Sequence, residues 1–216
     1  MPQDPADQDR TQLYLITPSQ FEPGEFSETL AAALDAVPVA CLRLRALGED
    51  ADALARSADM LREIAHQRDV PLVVEKHLAL AERLGLDGVH LTETGKPVRA
   101  AREALGPDGI VGVFAGASRH DGMVAGEAGA DYVSFGPVAD RGLGEDIAEP
   151  DLFAWWTEMI SVPVVAEGAL LDTSSAALDR IAGLAPVSDF IALGDDLWRS
   201  ENPLERLKDV SAMLEG

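Results

Sequence analysis

Residues 70–91 read Val-Pro-Leu-Val-Val-Glu-Lys-His-Leu-Ala-Leu-Ala-Glu-Arg-Leu-Gly-Leu-Asp-Gly-Val-His-Leu. Pro71 opens a short apolar run, residues 72–75, at a position where a strand needs no amide donor. Residues 78–84 carry a short helical pattern, and Gly85 supplies a left-handed stop. A second apolar run, residues 88–91, follows at once. Strand, helix and strand with short connections is the unit of a parallel sheet, whose strands are buried on both faces and therefore read as unbroken apolar runs.

The same unit recurs in both directions along the chain. Apolar runs lie at residues 13–17, 39–45, 72–75, 88–91, 110–114, 132–135, 164–166 and 190–193. Val37-Pro38 and Val162-Pro163 introduce two of them as Val70-Pro71 does. Helical patterns lie at residues 50–68, with Leu54, Ala58, Leu61, Ile64 and Ala65 on one face, at 97–105 before Gly106, and at 152–160, 173–181 and 203–214. Eight repeats predict an α/β protein, a single (β/α)8 TIM barrel over residues 11–216, with residues 1–10 as a flexible N-terminal tail. An open doubly wound sheet is the alternative. It would want a Gly-rich first turn, whereas Pro18-Ser19-Gln20 follows the first run. The polar stretch 140–150 after the sixth run is either a lid over the barrel mouth or a plain surface loop.

The chain has 216 residues, 47% of them hydrophobic, with 17 Lys and Arg against 38 Asp and Glu, a net charge of -21. That field repels phosphate backbones and anionic lipid, so neither nucleic acid nor membrane is an expected partner. Cys41 stands alone and cannot form an internal disulfide; its apolar run makes it a core residue, and a reducing compartment, the cytoplasm, is expected. Trp155, Trp156 and Trp198 are candidates for a dimer contact, with packing on the barrel favoured for at least one of the adjacent pair.

Barrel enzymes place their chemistry at the C-terminal ends of the strands. The ligand-pocket candidates there are Arg43, Arg45, Glu75, Lys76, His90, Glu93, Gly136, Arg141, Glu167, Gly168, Gly194 and Asp195. Arg43 and Arg45 share one strand face and point together either into the barrel, to hold an anion, or outward to helix carboxylates. Glu75-Lys76 offers an acid–base pair, against a solvated lysine and a helix-capping His77. His90 reads first as a hydrogen-bonded barrel residue. The loops after the seventh and eighth strands are the usual phosphate corner, yet Glu167, Asp195 and Asp196 bring negative charge there, one aspartate being a natural helix N-cap. No paired-His or Cys cluster exists, so no metal site is read from spacing; Glu75, His90, Glu167, Asp195 and Asp196 would converge only by accident of the fold.

Leu13-Tyr14-Leu15-Ile16-Thr17, Asp87-Gly88-Val89-His90-Leu91 and Gly129-Ala130-Asp131-Tyr132-Val133, with Gly136-Pro137-Val138 behind the last, resemble thiamine phosphate synthase and its relative the thiazole tautomerase. Arg99-Ala100-Ala101-Arg102 before Leu105-Gly106 is a weaker match. The resemblance covers residues from about 12 to 200. It implies a TIM barrel, a homodimer, a small-molecule ligand at the barrel mouth, and a transferase that joins a pyrimidine pyrophosphate to a thiazole phosphate with Mg2+. At the functional positions the chain departs from the pattern. The arginine of the second strand is Arg45, but Leu47 stands for the pyrophosphate lysine. Lys76 and Gly95 stand for the two magnesium aspartates. Phe114 and Gly116 replace the serine and histidine after the fifth strand, which disfavours the tautomerase. In the sixth loop only Arg141 could substitute for a phosphate ligand. The expectation is therefore a synthase-like barrel impaired or inactive in the coupling reaction, with no cofactor unless Mg2+ serves a retained activity. The alternatives are an active synthase with rearranged ligands, Glu75 and Glu93 on the metal, and a non-catalytic binding or regulatory barrel.

Overall fold

The eight apolar runs become eight parallel strands: β1 Gln12–Ile16, β2 Cys41–Leu44, β3 Leu72–Glu75, β4 Gly88–Leu91, β5 Ile110–Phe114, β6 Tyr132–Phe135, β7 Val164–Glu167 and β8 Phe190–Leu193. In the computed structural model, which describes residues 10–45, 50–140, 144–171 and 176–216, they pair in sequence order and β8 closes on β1. Leu13 and Leu15 of β1 face Ile191 and Leu193 of β8 in register. The open-sheet alternative is excluded by this closure.

Helices cover the outside: α1 Pro23–Ala36, α2 Ala51–His66, α3 Leu78–Leu84, α4 Lys96–Leu105, α5 Arg119–Glu127, α6 Pro150–Met159, α7 Ala177–Leu184, the single turn α8 Asp195–Trp198, and α9 Pro203–Glu215. Asp50 caps α2, its carboxylate accepting from the amides of Asp52 and Ala53 at 3.0 Å. Gly85 ends α3 with φ 62° and ψ 43°, the left-handed stop expected; Gly106 also has positive φ but an extended ψ of -170°. The helix α1 lacks a clean apolar stripe in sequence and emerges only in the fold. Among the described residues, no helix is long and apolar enough to cross a membrane.

Period-two alternation divides the core into two shells. Leu13, Leu15, Leu42, Leu44, Leu72 and Val74 point outward onto the helices, with Leu61, Phe153, Trp156 and Ile181 packed against that layer. Burying each such side chain contributes roughly 1.5–3 kcal/mol. Tyr14, Ile16, Cys41, Val73, Tyr132, Val165 and Ala192 point inward and fill the barrel. Cys41 is thus the core residue expected, and burial pushes its thiol up to about 12.

Aspartates tie the strand starts together. Asp87, Asp131 and Asp189, each immediately before an even-numbered strand, accept from the amides of Leu72, Val111 and Val164 at 2.7, 2.6 and 2.7 Å. Their own amides donate back to the carbonyls of those same residues. Two of the sequence motifs, Asp87-Gly88 and Ala130-Asp131-Tyr132, are therefore clamps at the foot of the barrel. Trp156 is buried with Nε1 donating to the Val162 carbonyl at 2.7 Å, while Arg119 stacks on Trp155 at 4.7 Å. Trp198 donates to the Ile16 carbonyl at 2.6 Å, so it too serves the barrel.

Candidate active site

Arg43 and Arg45 both point into the mouth of the barrel. They meet carboxylates from three other strand ends, and this decides their orientation against the outward reading. Arg43 forks onto Glu167, Nη1 to Oε2 at 2.8 Å and Nη2 to Oε1 at 3.2 Å. Its Nε lies 3.3 Å from Glu75 Oε1, an ion-pair distance without hydrogen-bond alignment. Arg45 donates from Nη1 to Asp195 Oδ2 at 2.9 Å, and its Nε lies 3.7 Å from the same Glu75 oxygen. The chain Asp195–Arg45–Glu75–Arg43–Glu167 thus strings two cations between three anions across four strand ends. Arg43 is 2% exposed. Burial works against its charge, but Glu167, with Tyr14 and Glu75, outweighs it and holds the guanidinium above its ordinary range.

Beneath this network runs a second chain that sequence reasoning missed except for His90. Arg43 Nη1 also donates to His90 Nε2 at 2.7 Å. Arginine can only donate, so Nε2 accepts and Nδ1 carries the proton. That N–H points to Tyr132 Oη at 3.0 Å, and Tyr132 in turn meets Tyr14 Oη at 2.7 Å. Burial, then Arg43 and Arg45, hold the His90 pKa well below its ordinary value, so the imidazole is neutral. Burial likewise raises both tyrosines. Room for Tyr132 comes from Gly112, where a Cβ would stand 1.9 Å from the Tyr132 ring. The signal available in the sequence was the inward pairing of a strand glycine with a tyrosine on the next strand.

The corner after β7 and β8 encloses a cavity of about 240 Å3. Ile16, Phe114, Pro137 and Leu170 form apolar walls, and Arg45, Glu167, Asp195, Asp196 and Arg199 rim it. Gly168 and Ala169 turn the β7 end with φ 80° and 59°. Gly136 is buried where β6 meets β7, so close to the Glu167 carbonyl that a Cβ would stand 2.1 Å from it. Gly194, not an aspartate, takes the N-cap place of α8. Asp195 instead spends its carboxylate on Arg45 and on the Ser19 amide, 2.7 Å from Oδ1. Ser134 shares the inward face of β6 with Tyr132, is fully buried, and its Oγ has no hydrogen-bond partner among the described residues. A cavity of about 670 Å3 opens at the opposite, strand-start end. Three charged residues, Arg10, Asp69 and Glu215, line it against five around the mouth cavity, so the mouth is the candidate site.

Other expected residues lie apart. Lys76 sits at φ 63° with its side chain exposed, only its amide joining the sheet at the His90 carbonyl, 3.0 Å. Glu93 is exposed just beyond β4. His77 starts α3 without a side-chain cap. Arg141 and Leu47 fall outside the described residues, as does part of the 140–150 stretch. The Mg2+ ion that the family resemblance implies does not fit the residues present. Mg2+ wants carboxylate oxygens on an open site. Glu75 is already engaged by two guanidiniums, Lys76 and Gly95 offer no carboxylate, and among the described residues no group of three His, Cys, Asp or Glu is placed to hold a metal.

The model of the family described as thiamine monophosphate synthase matches residues 13–189. A thiamine-phosphate synthase of Rhodospirillum centenum is 41% identical over 207 residues, covering 94% of this chain and 98% of the relative. One from Erythrobacter litoralis is 39% identical over 197 residues, covering 88% and 90%. Among solved structures, thiamine phosphate pyrophosphorylase from Pyrococcus furiosus superposes with a TM-score of 0.81 at 21% identity, covering 96% of this chain and 97% of that one, a likeness of fold. The motifs quoted from the sequence, the closed barrel they build and this nearly full-length similarity agree: the chain belongs to the thiamine monophosphate synthase family.

Proposed function

We propose that this barrel binds a small molecule at its mouth and is impaired in the Mg-dependent coupling of a pyrimidine pyrophosphate to a thiazole phosphate. The observation that carries this reading is the engagement of Glu75 between Arg43 and Arg45, next to Lys76 and Gly95 where the family resemblance calls for magnesium carboxylates. A cation arriving there would meet two guanidiniums and a lysine backbone turn rather than a pair of open carboxylates. The test is incubation with both substrates and Mg2+, following release of pyrophosphate. Turnover far below an ordinary enzymatic rate, roughly 1–1000 per second, is expected; turnover within that range overturns the reading.

A second reading, an active synthase with rearranged ligands, is favoured by the 41% identity to a relative named as that enzyme over nearly its full length. The same assay separates the two. A homodimer, which the family resemblance implies, is part of the proposal. Sedimentation equilibrium should give twice the chain mass of 22.9 kDa, and a monomer mass sinks it.

A further inference from the structure

We infer that Asp195 is a built-in anion that occupies the anion-binding donors at the phosphate corner of this barrel, so that the mouth takes an unphosphorylated, uncharged or cationic heterocycle in preference to a phosphate ester. The inference rests on the reading of the mouth as a small-molecule site and names the ligand class of that site. Loops after strands seven and eight of such barrels commonly hold phosphate with amide and cationic donors. Here the Asp195 carboxylate already uses two donors of that kind, Arg45 Nη1 at 2.9 Å and the Ser19 amide at 2.7 Å. Arg199 Nη2 stands 3.7 Å from Oδ1, the oxygen that accepts from Ser19. Glu167 occupies Arg43 in the same manner from the β7 side. An arriving dianion would have to displace carboxylates that cannot leave, and would then face them at contact distance, where like charges repel strongly in a partly desolvated corner.

The remaining surface suits a neutral ring. The cavity of about 240 Å3 is walled by Ile16, Phe114, Pro137 and Leu170. A neutral ring with one hydroxyl or ring nitrogen fits these apolar walls and the polar rim above them.

The experiment is calorimetry, without Mg2+ or second substrate, comparing thiazole phosphate with the corresponding free thiazole alcohol. The alcohol should bind at least about tenfold more tightly, and inorganic phosphate should not compete with it. Tighter or equal binding of the phosphate ester, or no binding of either, overturns the inference. Asp195→Asn keeps shape but removes the charge and should raise affinity for the phosphate ester by about ten- to a hundredfold, the worth of a freed charge-assisted donor pair. Asp195→Glu, which keeps the charge, should not. An Asn variant that folds normally by circular dichroism yet gains nothing also overturns it, and the wild-type comparison stands whether or not the variants fold. Failure here is separable from failure of the functional reading. Phosphate binding without turnover sinks only this inference, whereas turnover in the coupling assay sinks the functional reading.

Discussion

At His90 the consequences of a single orientation can be measured. The ring is buried, accepts from Arg43 and donates to Tyr132, so protonating Nε2 would place a second cation against the guanidinium. Its folded pKa is depressed, by burial first and then by Arg43 and Arg45, while in the unfolded chain it returns to about 6.5. The unfolded state therefore binds the proton more readily. The stabilising difference is complete above about pH 6.5 and is lost as pH falls toward the folded value, at up to about 1.4 kcal/mol per pH unit. Urea unfolding between about pH 7 and pH 5 should show a shallower decline in His90→Gln than in the wild type; equal slopes would remove His90 from the account. The sequence placed His90 correctly as a hydrogen-bonded barrel residue, and the two-residue period correctly paired Arg43 with Arg45. It could not choose the face. That choice depends on Glu75, Glu167 and Asp195, which reach the same point only after β3, β7 and β8 have closed around it.

Among the elements, the strands were far more legible than the helices. Five of the eight, β3 to β6 and β8, begin and end where the apolar runs do, because strands buried on both faces leave an uninterrupted apolar signature. The sequence pattern missed α1, whose apolar positions are diluted by alanine, and ended α7 three residues short of Leu184. The clamps by Asp87, Asp131 and Asp189 show what the family motifs do at this scale. Each carboxylate satisfies an amide at the start of the preceding odd strand, so removing one leaves a part-buried N–H unpaired. Substituting any of them by Ala should cost about 1–3 kcal/mol, and by Asn distinctly less, since the amide oxygen still accepts. Chemical denaturation of the six variants checks this. An Ala series no weaker than the Asn series would show that the clamps contribute nothing beyond strand pairing.

For the molecule as a whole, the net charge of -21 is spread over a surface some of whose cations are drawn into local pairs, such as Arg68 with Asp35 and Arg102 with Asp131. The remaining negative charges repel one another in the folded state, and added monovalent salt screens that repulsion. Melting temperature should therefore rise with sodium chloride from low ionic strength to about 1 M, where the Debye length is about 3 Å. A flat or falling curve would mean that the paired charges outweigh the unpaired ones. The barrel's fold was readable in the sequence because it depends on repetition, which survives local change. The site was only half readable because it depends on convergence, which no local window contains. The closure of β8 onto β1 has a further consequence for connectivity. Arg10 and Glu215 line one cavity at the foot of the barrel, at the end opposite the mouth. A short linker joining those two positions, with the backbone opened instead at an exposed loop between two other repeats, should give a circular permutant that closes the same ring of strands, because the pairing β8–β1 is the same kind of neighbour contact as every other pairing in the sheet.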